Sequence, residues 1–341
     1  MYRIPLYQTY FTEKKQILLQ SDAFCVESFC YPDNIPALKI SNSRGYLEIL
    51  PFMGQMIWDA NFDSISLKMK NMFKQPKRGN VIVDTYGCFA FHSGLLSSGC
   101  PAPEDTHPLH GEFPCAPMGT AWLEVTEQSI RLVSDYEYVQ GFGYHYRAKP
   151  SITLKKNATA FTIGMDVTNL SAYKDMPLMY MCHLNYNYID NGIMAQDIPN
   201  SAFCLRGSIP AHVKPTAEWR AFNSAIVAGE IDDQSLIYPH YYDPEIVYFA
   251  DNLAKYGKNL TFTLTDPATK TTFFTQFSSK EFPHATRWIL KNPDQQVAAF
   301  ILPATSRPEG YLAAEKADTL SWLAPQQTRS FHVLTGIKEQ S

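Results

Sequence analysis

Features that mark membrane, extracellular or nucleic-acid-binding proteins are scarce in this chain. No run of residues approaches the ~18 consecutive apolar positions of a membrane span. The seven cysteines (Cys25, Cys30, Cys88, Cys100, Cys115, Cys182 and Cys204) are odd in number and irregularly spaced, with no CxxC pair. Neither a structural zinc site nor a disulfide framework is therefore expected. Charged residues make up only 18% of the chain, against roughly 25% in ordinary soluble proteins. The 29 Lys and Arg against 33 Asp and Glu leave a net charge of −4, with no long basic run. Bulk attraction to nucleic acid is not expected from such a chain. Gly and Pro, at 17 and 23, are too few for disorder or a collagen repeat. Met1 to Gln20 carries Arg3, Glu13, Lys14 and Lys15 and no apolar stretch. A signal peptide is not expected there, and the cytoplasm, with reduced thiols, is the expected setting. Helical signals are few. Leu312 to Lys316 is short, and Asp63 to Phe73 is weakly amphipathic.

What the chain does have is strand periodicity. Phe161, Ile163, Met165 and Val167 alternate with Thr162, Gly164, Asp166 and Thr168. Leu260, Phe262 and Leu264 alternate with threonines, Ile152 and Leu154 sit between Ser151, Thr153 and Lys155, and Phe331 and Val333 flank His332. A period of two is that of a half-buried strand. Ala121–Thr126 and Ser129–Ser134, separated by Glu127-Gln128, read as a hairpin. Tyr46–Leu50, Ile246–Ala250, Thr271–Phe277 and Val297–Leu302 are further strands. Turn residues recur at the spacing of antiparallel sandwiches, and neither a linker nor a repeat interrupts the chain. The expectation is an all-β protein, a single large antiparallel β-sandwich over residues 1–341. Sheets that wide curve, and a concave face is a natural ligand cleft.

Three regions hold the polar chemistry. His92-Ser93-Gly94 and His107-Pro108-Leu109-His110-Gly111-Glu112 bracket Ser97-Ser98-Gly99-Cys100-Pro101. Loops on a rigid sheet are where sites tend to sit, although a bare HxxH is equally a pair of hydrogen-bonded loop histidines. Glu104, Asp105 and Glu112 are nearby, but no spacing enforces a metal site. The second region, Pro177 to Tyr188 with His183, Asn185 and Asn187 in its second half, is an apolar strand whose end turns polar. His183 and Asn185 could project into a cleft floor or bond within the core. The third is Arg307-Pro308-Glu309-Gly310, held between Pro and Gly. Trp288 offers an indole face to sugar C–H groups, or a core contact.

Taken in order, these residues resemble the galactose mutarotase-like superfamily, the aldose 1-epimerases, and within it a branch known only as a domain of unknown function. The resemblance runs from about Met53 to Ile337. His110-Gly111 matches the end of the family's histidine–leucine–histidine–glycine segment. His183-Leu184-Asn185 resembles the run that opens on the family's catalytic histidine, and Asp166–Leu170 the strand before it. Trp288 and Val297–Thr305 resemble the family's tryptophan and its late strand. The resemblance implies a large antiparallel β-sandwich with a carbohydrate cleft, and interconversion of the α and β anomers of an aldose. It implies His183 as general acid, with His110 orienting the sugar near its ring oxygen. Classical members carry a glutamate base at the end of the late strand. Leu302 stands there in this chain, and Glu309 is the nearest carboxylate able to substitute. The family's early asparagine–arginine pair has no counterpart. The expected catalytic set is thus His110, His183 and Glu309, with His92, Asn185, Trp288 and Arg307 binding the sugar. Anomer exchange is acid–base chemistry and calls for no metal or organic cofactor. The expected partner is a small-molecule sugar, with no nucleic acid and no membrane, and no oligomeric state is predicted. A sugar-binding protein that lost its base, and a metal-dependent sugar isomerase using His92, His107, His110 and His183, are the competing readings.

Overall fold

The computed structural model describes residues 1–339. Two large antiparallel sheets and a small two-stranded one carry the chain. The first sheet has nine strands. In spatial order they are Tyr2–Leu6, Thr120–Val125, Ser129–Val139, His145–Lys155, Ala160–Asn169, Thr328–Ile337, Thr272–Ser278, Asn259–Thr265 and Ile193–Gln196. The second runs Phe203–Leu205, Ile246–Ala250, His284–Lys291, Gln296–Ala304, Met181–Leu184, Ala90–Ser93, Met56–Phe62, Gly45–Leu50, Ile35–Ser41, Cys25–Tyr31 and Gln16–Gln20, with Ile65–Ser66 beside Met56–Phe62. Met176–Leu178 pairs with Ser321–Leu323. The large antiparallel β-sandwich expected from the period-two pattern is what forms.

Alternation fixes the register. Phe161, Ile163, Met165 and Val167 are all buried, and the strand pairs Ile163 with Val333 and Met165 with Phe331. A slip by one residue would turn every one of these side chains outward. Each such side chain contributes about 1.5–3 kcal/mol by leaving water. The two sheets meet through aromatic rings. Phe62 of the second sheet stacks on Phe161 of the first at 6.0 Å. Tyr180 approaches Phe331 at 5.0 Å, and Tyr186 approaches Phe273 at 5.0 Å. The Tyr186 hydroxyl is satisfied by Thr335 Oγ1 at 2.6 Å.

The hairpin forms, pairing Ile130 with Val125 and Ser134 with Ala121. Leu312–Lys316 lies within the helix Tyr311–Lys316. Asp63–Phe73 is not helical. It supplies the short strand Ile65–Ser66 and isolated bridges from Lys68 to Tyr186 and Lys70 to Gln296, because its backbone is claimed by neighbouring strands. One helix had no strong sequence signal, Ala217–Val227, which Thr216 caps by accepting from the Trp219 N–H at 3.1 Å. Among the described residues no helix is long and apolar enough to cross a membrane.

Candidate active site

Strand alternation sorts the histidines of the second sheet. Within Ala90–Ser93, Phe91 and Ser93 face away from the first sheet and His92 faces toward it. His92 is buried against Tyr180 and Phe113, with Nδ1 2.9 Å from the Tyr180 hydroxyl. It does not line the cleft, a correction to its expected sugar-binding role. His183, on the neighbouring strand, pairs in register with Phe91 and shares its outward side. The two rings stack at 4.4 Å and 15°.

On that outward face lies a cleft of about 460 Å³. Met181, His183, Val247, Thr286, Trp288, Leu290 and Leu302 come from four strands of the second sheet. Asn71, Phe73, Tyr86, Cys100, Leu109, His110, Arg206, His212, Asp243 and Glu245 come from the covering segments. His110 reaches the cleft through a turn that places its own φ at 63° and that of Gly111 at 79°. A Cβ on Gly111 would lie 2.1 Å from the Ser97 carbonyl oxygen, so only glycine fits there. The His110 carbonyl accepts from Gly94 N at 2.9 Å, and its N–H donates to Gly99 O at 2.9 Å.

His110 and His183 meet in this cleft. Their ring centroids are 4.8 Å apart at 84°. His110 Nδ1 lies 3.0 Å from Ser93 Oγ, which lies 2.7 Å from Ser98 Oγ. His183 Nε2 lies 3.2 Å from the Tyr86 hydroxyl. On its other side, His183 Nδ1 and Asn185 Oδ1 are both buried without a hydrogen bond of good geometry, while the Asn185 amide donates to Cys88 O at 3.0 Å. Burial, then the nearby His212 and His107, pushes His110 down to about 3. Burial, then His110, pushes His183 well below the ordinary 6.5, only partly offset by Asn185. No carboxylate is among the groups acting on either ring. Both imidazoles are neutral at pH 7.

Trp288 stands beside the pair, 5.7 Å from His183 and 6.0 Å from Tyr86, ring to ring. Its indole N–H donates to Glu245 Oε2 at 2.8 Å. The other oxygen, Oε1, lies 3.9 Å from Arg206 and 3.6 Å from His212. Glu245, Arg206, His212, Asp243 and Tyr86 were not singled out by sequence reasoning. Glu245 precedes a legible strand, but only the register pairing Val247 with Trp288 joins it to the tryptophan.

Leu302 lines the cleft as an apolar side chain. Leu302 pairs with Thr286 on the adjoining strand, and Leu302 and His183 both line the cleft. Glu309 is not among the lining residues. Its Oε1 accepts from Ser208 Oγ at 2.7 Å and lies 4.0 Å from Arg206. Arg307 belongs to a second cleft with Asp251 and His284. Its Nε donates to Asp251 Oδ2 at 3.0 Å, and His284 Nδ1 lies 2.7 Å from Asp251 Oδ1. Arg307 is thus committed elsewhere, a second correction. His107 is held in its loop by Pro108 O and Asp105. His92 and His107 therefore do not join His110 and His183. Among the described residues no three His, Cys, Asp or Glu side chains group to hold a metal ion.

No protein-family model and no curated protein matches the chain. Solved structures do. A candidate aldose 1-epimerase from Klebsiella pneumoniae superposes with a TM-score of 0.79 at 14% identity, over 95% of this chain and 87% of that one. A galactose mutarotase-like protein from Clostridium acetobutylicum gives 0.63 at 12% identity, over 94% and 100%. Another from Lactobacillus casei gives 0.57 at 13%, over 89% and 100%. At such identities the likeness speaks for the backbone alone: this chain has the galactose mutarotase-like fold.

Proposed function

We propose that the cleft binds an aldose against Trp288 and interconverts its anomers, with His183 as the group that moves the proton. The observation that supports this most is the pair of imidazoles in one cleft. His110 and His183 stand 4.8 Å apart in one cleft, His110 against Ser93 and His183 against Tyr86, and burial favours the uncharged form of both. Opening a pyranose ring transfers the C1 hydroxyl proton to the ring oxygen as the C1–O bond breaks. A neutral imidazole can accept that proton and hand it to the ring oxygen, so no second titrating group is needed. With Ser98 donating to Ser93 and Ser93 donating to Nδ1, His110 keeps its proton on Nε2. It then serves as a hydrogen-bond donor to the oxygen on which charge develops. A proton on His183 Nδ1, aimed at Asn185 Oδ1, leaves Nε2 as the acceptor. Rotation about C1–C2 and the reverse transfer close the other anomer.

This scheme dispenses with a carboxylate at the place of Leu302. Glu245 holds the indole and turns its other oxygen toward Arg206 and His212. The test is exchange NMR on freshly dissolved single anomers of several aldoses, with wild type against His183→Asn. A wild-type acceleration that the variant loses supports the proposal. A second reading, a binding protein without catalysis, is favoured by Leu302 itself. It predicts saturable sugar binding with no acceleration over buffer.

A further inference from the structure

We propose, resting on the sugar reading above, that the ligand is a deoxy aldose, with CH₂ or CH₃ where ordinary aldoses carry a hydroxyl. The argument comes from the floor of the cleft. On the sheet side of the cleft Met181, Val247, Leu290 and Leu302 are apolar, and they share that side with Thr286, His183 and Trp288. Met181 and Leu302 are each 1% exposed, so they are packed into the sheet. Three polar groups of the lining are engaged by neighbours within the protein. His183 faces Tyr86, His110 faces Ser93, and Glu245 faces Trp288.

A fully hydroxylated ring laid here would turn hydroxyls onto side chains that neither donate nor accept. Burying a hydroxyl without a partner is costly, whereas a methyl or methylene gains from leaving water. The apolar patch shares the cleft with His183, since Leu302 and His183 both line it. The remaining hydroxyls have Asp243, Asn292 and Gln295 elsewhere in the lining. The floor thus selects against one hydroxyl while the walls read the others.

The experiment compares matched pairs: 2-deoxyglucose with glucose, fucose with galactose, rhamnose with mannose. Calorimetry gives affinity, and exchange NMR on the same samples gives anomerisation. At least one deoxy member should bind ~10–100-fold tighter than its parent, the discrimination an apolar pocket achieves against one hydroxyl. Leu302→Ser should narrow that preference at least several-fold, and Thr286→Val should widen it. The second variant keeps size and shape, so it decides the matter if Leu302→Ser does not fold. Preferential deoxy-sugar binding without anomer exchange would remove the proposed activity and leave this inference standing. Equal or tighter binding of the parent in every pair, or no binding of any deoxy member, would overturn it.

Discussion

Trp288 Nε1 donates to Glu245 Oε2 at 2.8 Å, so the indole that lines the cleft is held by a carboxylate just before the adjoining strand. Glu245→Ala removes the acceptor and leaves the indole free to turn. Sugar affinity should fall ~10-fold or more, a loss comparable to one hydrogen bond to a charged group. Glu245→Gln keeps an accepting oxygen and should stay within a few-fold of wild type. Quenching of tryptophan fluorescence by sugar measures both.

Glu309 gives a sharper contrast. Its carboxylate is engaged by Ser208 and lies near Arg206, outside the cleft lining. Were it the base, Glu309→Gln would lower the anomerisation rate ~10²–10⁴-fold. With His183 moving the proton, the variant should keep its rate within a few-fold, as read by exchange NMR.

The buried histidines set the acid response of the fold. His92 and His110 are held down at about 3, and His183 lies well below 6.5. In the unfolded chain all three take up protons near pH 6.5, whereas in the folded chain they do not. The unfolded state therefore binds more protons, and stability falls as pH drops from about 6.5 toward 3. Each histidine adds a slope of up to ~1.4 kcal/mol per pH unit within that window. Urea unfolding between pH 7 and pH 4 should show it. His92→Phe should lower the slope by one proton's worth without touching sugar binding.

Arg307 answers to a different cleft. Arg307→Ala breaks its pair with Asp251, which is partly exposed, and should cost about 1 kcal/mol or less. Asp251 is held below its ordinary value, after burial is outweighed by His284 and Arg307. Its contribution is present above pH 3.8 and lost on further acidification. Thermal unfolding checks the stability, and an unchanged sugar affinity separates this cleft from the first.

The fold was legible because its signal is local. Phe161, Ile163, Met165 and Val167 declare a strand within eight residues, and the tertiary structure keeps it. His110 and His183 were legible through their motifs, though nothing in the spacing shows that they touch. That contact depends on a left-handed turn at His110 and on the register of His183 against Phe91. His92 was misplaced because one step along a strand reverses the direction of a side chain, and the loop-like sequence around it hid that step. Arg307 was misplaced because its partner Asp251 is 56 residues away. Tyr86 and Glu245 were missed for the same reason: each owes its place to long-range packing.

The central claim is that a neutral His183 carries the proton between the C1 hydroxyl and the ring oxygen. The pH profile of anomer exchange, corrected for the uncatalysed rate, tests it most directly when measured for wild type and His183→Asn together. A neutral acceptor predicts a wild-type rate that is flat from about pH 5 to pH 8 and lost ~10²–10⁴-fold in the variant. A wild-type rate that falls as pH rises through 6.5, or an unchanged rate in His183→Asn, would contradict it.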